Sequence, residues 1–220
     1  MNLLPARSRR ARVLAGLYAA LSAANTASVA RRFRAGEWAT KPLLMPVLAA
    51  YTLTAARESG HDVRLPVAGM ILGGLGDTAL LAAEGSENPD AWFLPGMGCF
   101  AAGHACYIAS LVKDGAASRV NPKIAAGYGA AGAVLIAALW RRLGDLRVPV
   151  AAYSAMLLSM AVLASGRNRE AAAGGALFVA SDSLIAGRLA GIDAVPGESA
   201  VMPSYVAAQF LLSSGWLARP

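Results

Sequence analysis

The sequence predicts an all-α integral membrane protein, a bundle of about eight transmembrane helices. Three observations carry that expectation. Of the 220 residues, 56% are hydrophobic, and the mean hydropathy is +0.49. Only 15% are charged, against about a quarter in soluble domains. The apolar residues also fall into runs separated by short charged or Pro/Gly-bearing breaks. At about 20 residues per span, eight spans take about 160 residues and leave about 60 for short loops. Such a composition excludes a disordered chain. Two cysteines, Cys99 and Cys106, exclude a disulfide scaffold and a cysteine-rich metal site. No loop is long enough for a soluble domain, so residues 1–220 read as a single polytopic domain, with a possible parallel 4+4 internal repeat.

The first run, 13–30, follows a basic segment of Arg7, Arg9, Arg10 and Arg12. It is longer than the 7–15 residues of a signal-peptide core, so it reads as a retained span. Asn25 and Thr26 within it are candidates for hydrogen bonds between helices. The second run, 42–56, is short and opens on Lys41-Pro42. A lysine at a span edge is ordinarily a snorkelling anchor; it can instead meet a lipid phosphate as a point charge. The third run, 65–84, carries Gly69-x-x-x-Gly73, and the fifth, 122–140, carries Gly129, Gly132 and Ala133. In lipid, helices associate through close backbone approach at small residues, so both sets read as helix-contact surfaces. The fourth run, 91–112, places Cys99 and Cys106 on one face, where packing is role enough. The sixth, seventh and eighth runs are 148–165, 171–187 and 198–217, the seventh rich in Ala and Gly.

The net charge of +7 belongs to span ends. The arginines form no stripe interleaved with aromatics, so no nucleic-acid partner is expected. Of the 20 Lys and Arg residues, 12 fall on the N-terminal side of the spans and 8 on the other, which favours a cytoplasmic N-terminus. The Arg- and Ala-rich composition fits a high-GC bacterium and hence a bacterial cytoplasmic membrane.

All but two of the 13 acidic residues lie in loops or at span edges. The exceptions are Asp77 and Asp182, both near mid-span. A carboxylate there costs about 2.5–3.5 kcal/mol even on lenient insertion scales, and intramembrane ionisable groups mark sites or ion paths by default. His104 is the one histidine inside a span. Catalytic zinc wants three ligands dominated by His or Cys, so no metal is expected. The spacing adds a quieter signal. Asp77 and His104 are 27 residues apart, as are Asp182 and Gln209; Asp77-Thr78 parallels Asp182-Ser183, and Phe100-Ala-Ala-Gly-His104 parallels Tyr205-Val-Ala-Ala-Gln209. With eight spans this is a parallel repeat of four and four, which would place both acids at similar depth. Tyr107 lies one turn beyond His104 and Tyr205 one turn before Gln209, so each pair shares a face.

Two buried carboxyls near each other tend to share a proton, one serving as general acid and the other as base or charge stabiliser. That suits hydrolysis of an acid-labile bond through an oxocarbenium-like state. It does not suit acyl transfer: there is no Gly-x-Ser-x-Gly elbow and no evident Ser/His/Asp set.

Lys41-Pro42, Gly76-Asp77, Phe100 with His104 and Tyr107, Phe178 with Ser181-Asp182-Ser183, and Ala208-Gln209 occur in an order that resembles the YhhN family of polytopic membrane proteins. The resemblance runs from the second span to the eighth. Its best-known activity is lysoplasmalogenase, hydrolysis of the vinyl-ether bond of a lysophospholipid to a fatty aldehyde and a glycerophospho-base. It implies Asp77 and Asp182 as the catalytic acids, a bilayer-borne lysolipid as substrate, and no metal or organic cofactor. Lys41, His104, Tyr107, Ser181, Tyr205 and Gln209 are then the candidates for orienting substrate or water. The competing reading is a proton-coupled transporter of a small amphiphile, because mid-membrane acids and repeats are also transporter features; a hydrolase of another lysolipid is the nearer alternative. Oligomeric state is not legible.

Overall fold

A computed structural model describes residues 8–192, 194 and 197–218; Arg7 of the basic segment lies outside them. Among the described residues the chain is all helical. Its α-helices are α1 (Arg9–Ala30), α2 (Arg34–Ser59), α3 (Arg64–Ala83), α4 (Asp90–Lys113), α5 (Pro122–Leu139), α6 (Arg147–Ser165), α7 (Arg169–Leu189) and α8 (Glu198–Leu217). Short 3-10 turns at Ala116–Arg119 and Gly144–Leu146 precede α5 and α6. Each predicted run falls on one helix, although α2 extends well beyond its run. Four segments are long and apolar enough to cross a membrane: α1, α3, α5, and α6 with the turn before it. The described residues divide into two compact units, one running to Ser110 and taking in residues 216–218, the other spanning Leu111–Gly215.

In the first unit α1 starts at Ser8, whose Oγ accepts from the Ala11 N–H at 3.1 Å and satisfies one of the orphan donors of a helix start. The α1–α2 turn closes with Arg32 at φ 54°. There the expectation needs correcting. Lys41-Pro42 does not open the second helix, because α2 begins at Arg34 and runs unbroken through Pro42 and Pro46. Two prolines spaced one turn apart remove donors from a single face. Glu37, Lys41, Leu44 and Met45 on the surrounding turns are buried, and that packing keeps the axis intact. Asn25 donates from Nδ2 to Thr40 Oγ1 at 2.8 Å, the bond between α1 and α2 that its position foreshadowed.

Glycines set the spacing of the helices that follow. A Cβ on Gly74 would stand 2.9 Å from the Met45 Cβ on α2. On α3 and α4, a Cβ on Gly103 would stand 2.9 Å from the Gly69 carbonyl oxygen, and one on Gly76 would meet the Phe100 ring at 2.7 Å and the Gly96 carbonyl at 3.0 Å. Arg34 reaches from the start of α2 to the end of α3, donating to the Leu81 carbonyl at 3.0 Å beside Glu84 at 3.7 Å.

In the second unit α5 starts at Asn121, whose side chain accepts from the Lys123 N–H, with Pro122 at the first helical position. Its small-residue surface is narrower than expected. Gly132 packs against Leu158 of α6, but nothing lies within 4 Å of a Cβ on Gly129, because α5 is otherwise largely exposed. α6 and α7 approach where a Cβ on Gly175 would stand 3.0 Å from the Ala161 Cα. A Cβ on Gly174 would stand 2.8 Å from the Leu212 nitrogen and 2.9 Å from the Ala208 carbonyl of α8.

The end of α8 is held by the α6–α7 connection. Arg167 Nε and Asn168 Nδ2 both donate to the Gly215 carbonyl, each at 2.9 Å. Arg167 also pairs with Asp114 and is itself buried. Burial pushes its guanidinium below the ordinary arginine value; Asp114 opposes that shift and Arg119 adds to it. Arg119 donates in turn to the Gly166 carbonyl at 3.0 Å.

The close α3–α4 approach yields a prediction. Gly103→Ala forces a methyl onto backbone and is expected to lower stability by about 1–3 kcal/mol. Gly98→Ala, where nothing lies within 4 Å, is expected to be neutral or slightly stabilising. Thermal unfolding of the two variants in the same detergent distinguishes them.

Candidate functional site

In the first unit Asp77 sits on α3, one residue after the glycine that lets Phe100 approach, and is 4% exposed. His104 on α4 is 2% exposed, and its ring meets that of Tyr107 edge-on with centroids 6.1 Å apart. The predicted shared face is therefore present. Tyr107 packs over Gly69 and tilts against Trp216, centroids 4.7 Å apart. Tyr18 of α1 is buried within electrostatic range of Asp77 and Tyr107. The sequence reading did not single it out, because a tyrosine inside an apolar run leaves no pattern. Lys41 lies in the third turn of α2, 8% exposed, one turn beyond the buried Glu37. It is an interior lysine rather than a snorkelling one.

In the second unit Asp182 sits two-thirds along α7, half-buried, and its Oδ2 accepts a hydrogen bond from the Tyr153 hydroxyl of α6. Tyr153 was also missed. It lies 29 residues before its partner on another helix, and tyrosines near span ends read as belt residues. Ser181 is fully buried and donates to the Val201 carbonyl at 3.2 Å, so its hydroxyl is committed to joining α7 to α8. Ser183 donates within its own helix, to the Val179 carbonyl. Gln209 is 1% exposed and donates from Nε2 to the Tyr205 hydroxyl at 3.4 Å; the Tyr205 ring stands edge-on to Phe178, centroids 5.5 Å apart.

Several contacts of α3 with α4 and of α7 with α8 share one offset along the chain. Gly69 meets Tyr107 and the Gly103 carbonyl; Gly174, 105 positions later, meets Leu212 and the Ala208 carbonyl, each exactly that far along the chain. Gly76 approaches the Gly96 carbonyl, and at the same offset Ser181 donates to the Val201 carbonyl. Asp77 and Asp182 share that offset, as do Phe100 and Tyr205, and His104 and Gln209. Among the described residues no group of three or more His, Cys, Asp or Glu side chains is placed to hold a metal ion.

Comparison with known families matches the YhhN family model over residues 36–216, from the first turn of α2 to the end of α8. The chain belongs to the YhhN family. No curated protein and no solved structure matches it. The YhhN match spans both acids, both α3–α4 and α7–α8 contact sets, and the candidate residues of α2 to α8. It leaves out α1, and with it Tyr18 and Asn25.

Ser181→Ala removes one donor from a carbonyl that Ser204 also reaches, at 2.8 Å. The expected loss is about 1 kcal/mol of stability, read as a small fall in melting temperature with the helical circular-dichroism signal unchanged.

Proposed function

We propose that this YhhN protein is a membrane-embedded hydrolase that cleaves the vinyl-ether bond of a lysoplasmalogen, with Asp77 and Asp182 as its acid/base pair. The carrying observation is that Asp77 on α3 and Asp182 on α7 sit at a common offset in two helix pairs that share contacts, in a chain of a family whose best-known activity is this one. The reading includes eight membrane-spanning helices arranged as a parallel repeat of four and four. The common contact register of α3–α4 and α7–α8 supports the repeat. Eight helices of 18–26 residues support the span count, since the polar residues of α2 and α7 can face protein rather than lipid. The reading puts the N-terminus in the cytoplasm, which the excess of Lys and Arg on that side supports.

The chemistry follows from the bond. Protonation of the vinyl-ether β-carbon by one carboxylic acid leaves an oxocarbenium ion. The other carboxylate stabilises that cation and accepts a proton from the attacking water. The resulting hemiacetal collapses to aldehyde and glycerophospho-alcohol, its hydroxyl proton passing to a carboxylate and a proton returning to the leaving oxygen. One water is consumed and both carboxyls end as they began, so no redox partner is required. His104, Tyr107, Tyr205 and Gln209 provide polar atoms to orient water or head group, and Lys41 provides a buried cation suited to the phosphate. Ser181, engaged with Val201, contributes by holding α7 to α8.

The transporter reading rests on mid-membrane acids and repeats, and proline-broken helices would have added to it. Pro42, Pro46, Pro95 and Pro203 all lie inside continuous helices, which gives that reading no support.

The direct test is aldehyde release from lysoplasmenylethanolamine by the purified protein in detergent, with a saturated lyso-ether as control. Wild type is expected to turn over the vinyl ether alone. Asp77→Asn and Asp182→Asn are each expected to lose at least about 100-fold in kcat while melting within a few degrees of wild type. Absence of release from a folded wild type overturns the reading.

A further inference from the structure

We propose that Glu37 and Lys41 form a subsite for a zwitterionic phosphoethanolamine head group, Lys41 taking the phosphate and Glu37 the primary ammonium. The inference rests on the hydrolase reading above and names the head group of its substrate, with Glu37 as the residue that selects it.

The two side chains lie one turn apart on α2 and are 7% and 8% exposed. Residues four apart on a helix share a face and are spaced to pair with one another. Here they do not: among the described residues neither side chain is hydrogen-bonded or ion-paired. Opposite charges taken out of water without partners are costly, and such groups within a membrane protein mark a site by default. The ligand that complements both carries both signs, its anion at Lys41 and its cation at Glu37.

Their place along α2 fits the order of groups in such a ligand. Arg34 at the start of α2 reaches Leu81 near the end of α3, so the two helices are antiparallel. Thr52 meets Met70, and Met45 meets Gly74. Each turn back along α2 is therefore a turn forward along α3. Lys41, one turn before Met45, stands level with Asp77 and Thr78, one turn beyond Gly74. Glu37 is one turn nearer the end of α3, about 5.4 Å further. In a lysolipid the ether, the phosphate and the ammonium follow one another toward the membrane surface. The two-carbon link between the last two spans roughly the pitch of one helical turn. Asn25 of α1 holds Thr40, the residue before Lys41, which fixes this stretch of α2.

The neighbouring rings decide between ethanolamine and choline. A quaternary ammonium is held against the faces of surrounding aromatic rings. Phe33 and Trp38 are 58% and 42% exposed, so the rings next to Glu37 in the chain face outward while Glu37 is covered. A carboxylate accepts hydrogen bonds instead, and a primary ammonium has three to give.

The test uses the full-length protein in detergent and a set of saturated lyso-ethers that differ only in head group: phosphoethanolamine, phosphocholine, or none beyond the glycerol. Affinity is read by equilibrium titration, which needs no turnover. Wild type is expected to bind the ethanolamine form on the order of 10-fold more tightly than the choline form, and both more tightly than the bare glycerol ether. Glu37→Gln is expected to bring the ethanolamine and choline forms within about twofold of each other. Lys41→Gln is expected to remove the advantage of the phosphate-bearing forms over the glycerol ether. Each comparison is a ratio within one preparation, so a smaller folded fraction does not imitate it. A pair that serves only to stabilise α2 would lower the melting temperature in both variants and leave both ratios unchanged, and that result overturns the proposal. So does a wild type that binds none of the three, or that binds the choline form as tightly as the ethanolamine form. If wild type shows the preference and releases no aldehyde from the vinyl ether, the hydrolase reading falls and the head-group site stands.

Discussion

Close approach of helix backbones at small residues is the constraint on which the rest of this molecule depends. In lipid there is no hydrophobic drive between helices, so contact has to come from dispersion and short polar bonds at short range. Gly69 against Gly103, Gly76 against Gly96 and Gly174 against Ala208 bring carbonyls to where a Cβ would sit. That proximity sets Gly103, beside His104, against Gly69 and Gly73 of α3, and Ala208, beside Gln209, against Gly174 of α7. Larger side chains at these glycines would push α3 from α4 and α7 from α8.

The polar interior is correspondingly economical. Several hydroxyls return to the backbone of their own helix: Thr52 to Leu48, Thr78 to Gly74, Ser183 to Val179. Where a side chain reaches another helix, the bond sets a register: Asn25 to Thr40, Ser181 to Val201, Tyr153 to Asp182. At the end of α8, one carbonyl takes donors from both Arg167 and Asn168. An unpaired polar group in this setting would cost several kcal/mol, which is why so many of these side chains serve to fasten rather than to bind.

Much of this was legible in the sequence, and for identifiable reasons. Helix limits follow from charge and from Pro/Gly breaks, so α3 to α8 fall within a few residues of the expected runs. Asp77 and Asp182 stand out because carboxylates are scarce in apolar runs, and the pairing of His104 with Tyr107 follows from helical spacing. The start of α2 was misplaced because Lys41-Pro42 has the composition of a span entrance, while the signal that overrides it, burial of Glu37 and Lys41, exists only in three dimensions. Tyr153 and Tyr18 escaped for a related reason. An aromatic in an apolar run carries no periodic mark, and its importance lies in what faces it from another helix.

The matched contacts of α3–α4 and α7–α8 hold different residues: glycine in one and serine in the other at one crossing, histidine and glutamine at another. The common register therefore carries unlike chemistry: a backbone approach in α3–α4 stands where α7–α8 has a hydroxyl bond, and an imidazole stands where the other pair has an amide. A shared spacing decides where two groups meet and leaves free what meets there.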